Sequence, residues 1–170
     1  MIYGVKALLK CYNTPMKKID ALLIISLFGL DQLTKWIVVM TISLNDSITL
    51  IPTFLSFTHV RNFGASWSLF QNQIPFLIAV TIIALIFFFV WYQRLGPEYT
   101  FEKIGLMLMI GGTLGNFIDR VLLGYVVDFI DVIIFGYDFP IFNVADMALT
   151  LGVIALLIHE LKGVLHAKRH

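Results

Sequence analysis

The sequence predicts an all-α polytopic membrane protein, four transmembrane helices with a small extracytoplasmic β-rich cap. Three observations carry this. Of 170 residues, 59% are hydrophobic and 14% charged, where soluble domains average about 45–50% apolar and about 25% charged residues. Four apolar stretches have close to the roughly 20 residues needed to cross hydrocarbon. The cations between and beyond those stretches fall almost all on one side.

The same arithmetic excludes other classes. A mean hydropathy of +0.88 is incompatible with disorder. The 12 Lys/Arg and 11 Asp/Glu leave a net charge of +1, with no basic excess for nucleic acid. The single cysteine, Cys11, permits neither an internal disulfide nor a Cys-based metal cluster. No repeat divides the chain, so 1–170 reads as one integral-membrane domain. Residues 1–15 read as an N-terminal extension ahead of Met16-Lys17-Lys18.

The spans are expected at about 19–42, 75–92, 103–124 and 142–161. The first is too long for a cleaved signal peptide, carries Asp31 and Lys35, and lacks a small-x-small site at its end. Lys6, Lys10, Lys17, Lys18, Arg94, Lys103, Lys162, Lys168 and Arg169 lie on the side of the termini and the 93–102 loop, against Arg61 alone in the opposite loops. The positive-inside rule makes the first side cytoplasmic.

Outside, Leu55 and Phe57 alternate with Ser56 and Thr58, the period-2 pattern of strand. Residues 43–74 therefore read as the cap. Residues 125–141 carry Asp128, Asp131 and Asp138 without a cation and read as an outer connector, with a lid role suggested by their position between Asp128 and Asp146.

Charged side chains inside spans are costly and mark pairing or functional sites. Asp31 and Lys35 share a helix face at i, i+4, in the order that favours an ion pair. In span three, Gly111 and Gly115 form a small-xxx-small face that admits another helix. Asn116, Asp119 and Arg120 follow as one polar stripe, either an Asp–Arg pair with a bridging Asn or the wall of a site. At the start of span four, Asn143 suits a helix N-cap and Asp146 its first turn. With the orientation applied, all of these but mid-span Asp31 converge on the outer leaflet.

Carboxylates are the plentiful reactive groups there. His59 is the lone outward histidine, so a three-ligand zinc site is poorly supplied and no metal or other cofactor is expected. Two close carboxylates share one proton. The charged member can activate water while the protonated one polarises a carbonyl. The candidates are Asp119, Asp128, Asp131, Asp138 and Asp146. Asp131 and Asp138 read as exposed loop acids and Asp119 has Arg120 beside it, leaving Asp128 and Asp146.

The segments Asp31-Gln32-x-x-Lys35, Arg61-Asn62-x-Gly64-Ala65, Gly115-Asn116-Phe117-Ile118-Asp119-Arg120, Val126-Val127-Asp128-Phe129 and Phe142-Asn143-Val144-Ala145-Asp146 together resemble the bacterial lipoprotein signal peptidases (signal peptidase II). The resemblance spans roughly residues 17–165. It implies an intramembrane aspartic endopeptidase of the bacterial cytoplasmic membrane that removes signal peptides from prolipoproteins, just before a diacylglyceryl-modified cysteine. Asp128 and Asp146 match the family's catalytic pair. Asn62, Asn116, Arg120 and Asn143 match polar residues of its substrate and inhibitor site. Asp31, Lys35, Gly64 and Asp119 match supporting positions. Prolipoproteins, membrane lipids and globomycin-type inhibitors are the implied partners. A lipid or solute transporter and a non-enzymatic assembly partner are the competing classes; the first lacks an inner pathway, and the second leaves the paired aspartates unexplained.

Overall fold

In the computed structural model, which describes residues 14–65, 69–96 and 98–167, each expected span is a helix. The order is α1 (Lys18–Thr41), β1 (Ser47–Ile51), β2 (Leu55–Asn62), α2 (Ile74–Arg94), α3 (Thr100–Leu122), β3 (Val126–Ile134), β4 (Tyr137–Asp138) and α4 (Val144–Ala167). Most of the expected N-terminal extension, with Cys11, Lys6 and Lys10, lies outside the described residues, as do Lys168 and Arg169.

The helices start and stop where local chemistry requires. The Asp20 carboxylate accepts the Lys17 backbone N–H at 3.3 Å, satisfying one of the donors left open at the start of α1. Pro75 occupies the first turn of α2, where its missing N–H costs nothing, and Arg94 stands in the last turn. Between them α2 carries no charge, and most of its surface faces lipid.

α3 is the axis of the bundle. Within its most apolar window 61% of residues are buried, against 6% in α2, because α1, α2 and α4 all pack on it. Glycine makes that possible. A side chain at Gly111 would strike Leu27 of α1, and one at Gly115 the Asp31 carboxylate; this is the face expected to admit a neighbouring helix. Gly105 and Gly112 do the same for α4, where a Cβ at Gly105 would sit 3.0 Å from the Gly152 carbonyl oxygen.

The strands form one antiparallel sheet, ordered β1-β2-β3-β4. It sits at the end of the bundle where α1 and α3 finish and α2 and α4 begin. Phe129 of β3 packs on Val38 and Ile42 at the end of α1, edge-on to Phe57 of β2 with ring centroids 5.8 Å apart. The cap expected from residues 43–74 thus takes half its strands from residues 126–138. Read alone, 126–134 is a continuous apolar run broken by acids, which looks like a connector; paired with β2 it becomes a buried strand. Asp131, expected as an exposed loop acid, lies on β3 partly buried and accepts the Thr58 hydroxyl at 2.6 Å. Asp138 is exposed but belongs to β4. The presumed lid segment therefore consists largely of sheet.

Candidate active site

The base of the site is a buried ionic cluster between α1 and α3. Lys35 Nζ lies 2.8 Å from Asp31 Oδ2 and 2.8 Å from Asp119 Oδ2. The pairing of Asp31 with Lys35 expected from their spacing is present, but Lys35 also spans to the next helix. Asp119 does not pair with Arg120, because neighbours on a helix point about 100° apart; its partner comes from α1. Two carboxylates against one ammonium leave a negative surplus that further donors stabilise. Gln32 Nε2 reaches Asp119 Oδ1 at 2.9 Å and Asp31 Oδ2 at 3.2 Å. The Val127 N–H points at Asp119 Oδ2, at 3.3 Å, and the Ala145 N–H at Asp31 Oδ1, at 2.9 Å. The last two bonds fix the start of β3 and the start of α4, the two segments that carry Asp128 and Asp146. Gln32, which sequence reasoning left without a role, belongs to this cluster; its place one residue after Asp31 was the available signal.

Lys35 has a third contact, donating to Asn116 Oδ1 at 3.0 Å. That orients the Asn116 amide so that its Nδ2 donates to Asp146 Oδ1 at 2.8 Å. Asn143 then joins the two aspartates. Its Oδ1 accepts the Asp146 N–H at 3.0 Å, and its own N–H lies 3.2 Å from Asp146 Oδ2. This is a reciprocal capping box at the start of α4. The remaining amide group, Nδ2, donates to Asp128 Oδ1 at 2.7 Å and to Asn116 Oδ1 at 3.0 Å. Helix capping and site building, alternatives in the sequence, are performed by one buried side chain.

Asp128 receives its second donor from the sheet. Asn62 faces Val126 in the β2–β3 ladder, so Asp128, two residues along, is its diagonal neighbour on the same face. Asn62 Nδ2 donates to Asp128 Oδ2 at 2.9 Å. The Asn62 side-chain oxygen, Oδ1, in turn accepts the Gly64 N–H at 2.9 Å, and the Gly64 backbone carbonyl accepts from Arg120 Nη2 at 3.0 Å. A side chain on Gly64 would come within 2.7 Å of the Leu69 carbonyl oxygen. Every sequence-predicted site residue therefore enters one connected polar network.

That network lines a cavity of about 200 Å³, walled by Asn62, Ala65, Thr81, Thr113, Asn116, Arg120, Val126, Asp128, Asp146 and Leu149, among others. Among the described residues, Arg120 Nε is the buried side-chain nitrogen or oxygen without a partner. Burial, and then the neighbouring charge of Asp146, push the Asp128 carboxyl up to about 7 against the opposing hydrogen bonds of Asn62 and Asn143. A carboxyl there holds its proton near neutrality, as an acid–base pair requires. Beside Asp146 a second cavity of about 480 Å³ is mostly apolar, lined by Phe139, Pro140, Phe142, Met147, Thr150 and Leu151.

Residues 23–162 match the family pattern described as signal peptidase (SPase) II. The chain belongs to the signal peptidase II family. It is 46% identical over 138 residues to the lipoprotein signal peptidase of Staphylococcus aureus strain MRSA252, covering 81% of this chain and 85% of that one. The protein from strain Newman matches to the same extent. Two solved structures described as a bacterial membrane enzyme, obtained by the in meso method at 2.3 and 1.9 Å resolution, are each 42% identical. The first superposes with a TM-score of 0.83, covering 90% of this chain and 93% of its own, and the second with 0.78, covering 87% and 96%. A signal peptidase II is an aspartic-type peptidase, so the enzyme reading holds over the transporter and assembly-partner alternatives. With four helices long and apolar enough to span, this signal peptidase II is a multi-pass membrane protein.

Proposed function

We propose that the chain is a single peptidase domain of the bacterial cytoplasmic membrane that cuts prolipoproteins before their diacylglyceryl-modified cysteine, with Asp128 and Asp146 as the catalytic pair. The observation that supports this most is the bridging of a buried carboxylate, Asp128, and a half-buried one, Asp146, through one amide, Asn143, in a polar cavity beside an apolar one. The concentration of Lys and Arg toward the termini supports a cytoplasmic location for both ends, with the sheet and the aspartates outside.

Asp128, held near neutrality by burial, keeps the shared proton. Asp146, held by two N–H donors at a helix start, carries the charge. Asp146 takes a proton from water as the oxygen attacks the scissile carbonyl carbon, and Asp128 gives its proton to the carbonyl oxygen. When the tetrahedral species collapses, the C–N bond breaks, the proton on Asp146 goes to the leaving nitrogen, and a diol proton returns to Asp128. Arg120, with an N–H to spare, orients a backbone carbonyl of the substrate. Asn62, Asn116 and Asn143 position the pair, and Asp31, Lys35, Gly64 and Asp119 hold the frame. The acyl chains of the lipidated cysteine lie in the apolar cavity or the surrounding lipid, and a globomycin-type peptide occupies the polar one.

Purified protein should cleave a diacylglyceryl-modified prolipoprotein and leave the unmodified precursor intact. Equal cleavage of both would remove the lipid from the recognition scheme. The rate should fall as pH rises past about 7, because Asp128 then loses the proton it donates. The folded protein holds that proton more tightly than an unfolded chain, whose Asp ionises near about 4. The stability this contributes at low pH is therefore lost as pH climbs from about 4 to about 7, ahead of the fall in rate. A rate that stays flat from pH 6 to 9 would argue against proton sharing.

A further inference from the structure

Two separate cavities lie against the same three helices, one toward each end of the bundle. α2 and α4 both pack on α3, and the aspartate cavity has Thr81 of α2 and Leu149 of α4 in its walls. At the opposite end of the same three helices lies another cavity of about 250 Å³, between Trp91 of α2, Glu102 of α3 and Val153, Leu156, Leu157 and Glu160 of α4. Its walls are apolar except for two carboxylates. At this end α3 begins at Thr100 and buries Glu102 and Lys103 in its first turn. Glu102 pairs with His159 at 2.6 Å, and Lys103 lies over the Tyr92 ring, 5.4 Å from its centroid. Glu98 and Glu160 lie within electrostatic range of Glu102.

Length decides what fits. Glu160 follows Asp146 by fourteen positions on one helix, about 21 Å at about 1.5 Å per residue. A signal peptide has a cationic N-terminal region, then roughly 7–15 apolar residues, then its cleavage site. As a helix, fifteen such residues reach about 22 Å. A peptide whose scissile bond lies at the aspartates thus delivers its cations to the acidic cavity.

We infer that the apolar helix of the signal peptide lies along α2 and α4 from one cavity to the other, and that Glu160, with Glu102 behind it, receives the cations of the peptide's N-terminal region. The inference rests on the reading that Asp128 and Asp146 cut the bond. It makes Glu160 a specificity residue acting through substrate binding, far from the reacting atoms. A phospholipid with an amine headgroup could present a cation beside apolar chains too, but only the peptide links the two cavities at this spacing.

The test is a charge exchange in proteoliposomes of phosphatidylglycerol alone or mixed with phosphatidylethanolamine. The enzymes are the wild type, Glu160→Gln and Glu160→Lys. The substrates are a lipid-modified prolipoprotein with its N-terminal lysines intact, changed to Gln, or changed to Glu. For the intact substrate, Glu160→Lys should lower kcat/KM by about two- to fivefold, the range of a partly exposed ion pair, through KM. The Gln substrate should be indifferent to Glu160→Lys, and the Glu substrate should be cut better by it than by the wild type. Equal effects on all three substrates would overturn the inference, as would an effect that follows phosphatidylethanolamine whatever the substrate charge, which would assign the cavity to lipid. Activity surviving in Asp128→Asn would break the catalytic reading instead, and the charge exchange would remain readable in that variant.

Discussion

Replacing Asp128 or Asp146 with Asn is expected to reduce cleavage of a lipid-modified prolipoprotein by about 10²–10⁴-fold or more, the usual contribution of a positioned acid or base. The two losses should not multiply in the double variant, because the pair works as one unit. Asn is nearly isosteric, but it is not silent here. Both oxygens of Asp128 accept amide hydrogens, from Asn143 and Asn62. An Asn at 128 sets its own NH₂ against one of those donors, and a buried donor left unpaired costs about 1–3 kcal/mol. Asp146 is similarly placed between Asn116 and the Asn143 N–H. A fall in thermal stability should therefore accompany the fall in rate. Circular dichroism of the variants in detergent separates the two, since a folded, inactive enzyme is the expected result. Retention of activity within about tenfold by either folded variant, well short of that range, would remove the pair from the mechanism.

Lys35→Met is expected to be the most destabilising single change in the protein. It removes the one ammonium that stands within 2.8 Å of both Asp31 and Asp119, deep in the bundle and remote from water. Breaking a buried ion pair by deleting one partner typically costs about 3–5 kcal/mol. Here two carboxylates would be stranded together. Thermal unfolding in detergent should show a large loss, with cleavage lost at temperatures the wild type tolerates. The physical cause is checked by adding Asp31→Asn and Asp119→Asn to Lys35→Met. Removing the stranded charges should restore much of the thermal stability. Cleavage should remain low, because the Asn116 amide then has no ammonium to orient it. If Lys35→Met alone unfolds like the wild type, the cluster is not the frame described above.

The residues whose partners lie nearby in sequence were readable in advance. Asp31 and Lys35 meet because they are one helical turn apart, and Asn143 and Asp146 because a capping box has that spacing. Gly111 and Gly115 pointed to a close helix. Other partners were hidden by separation along the chain. Asn62 meets Asp128 across 66 positions, Lys35 meets Asn116 across 81, and Asp31 meets the Ala145 N–H across 114. Arg120 is the partner that adjacency suggests for Asp119, and adjacency is a poor guide on a helix.

Hydrocarbon imposes its length on each apolar segment separately, and for that reason the sequence by itself determined the four spans, their alternating direction and the end of the bundle where the polar residues gather. Strand pairing imposes no such local signature. Whether Asp128 lay in a loop or on a buried strand depended on the register between β2 and β3, and that register places Asn62 diagonal to it. Only the tertiary structure decided this, because a hydrogen-bond ladder and a lysine shared by two helices are properties of segments brought together, carried by neither segment alone.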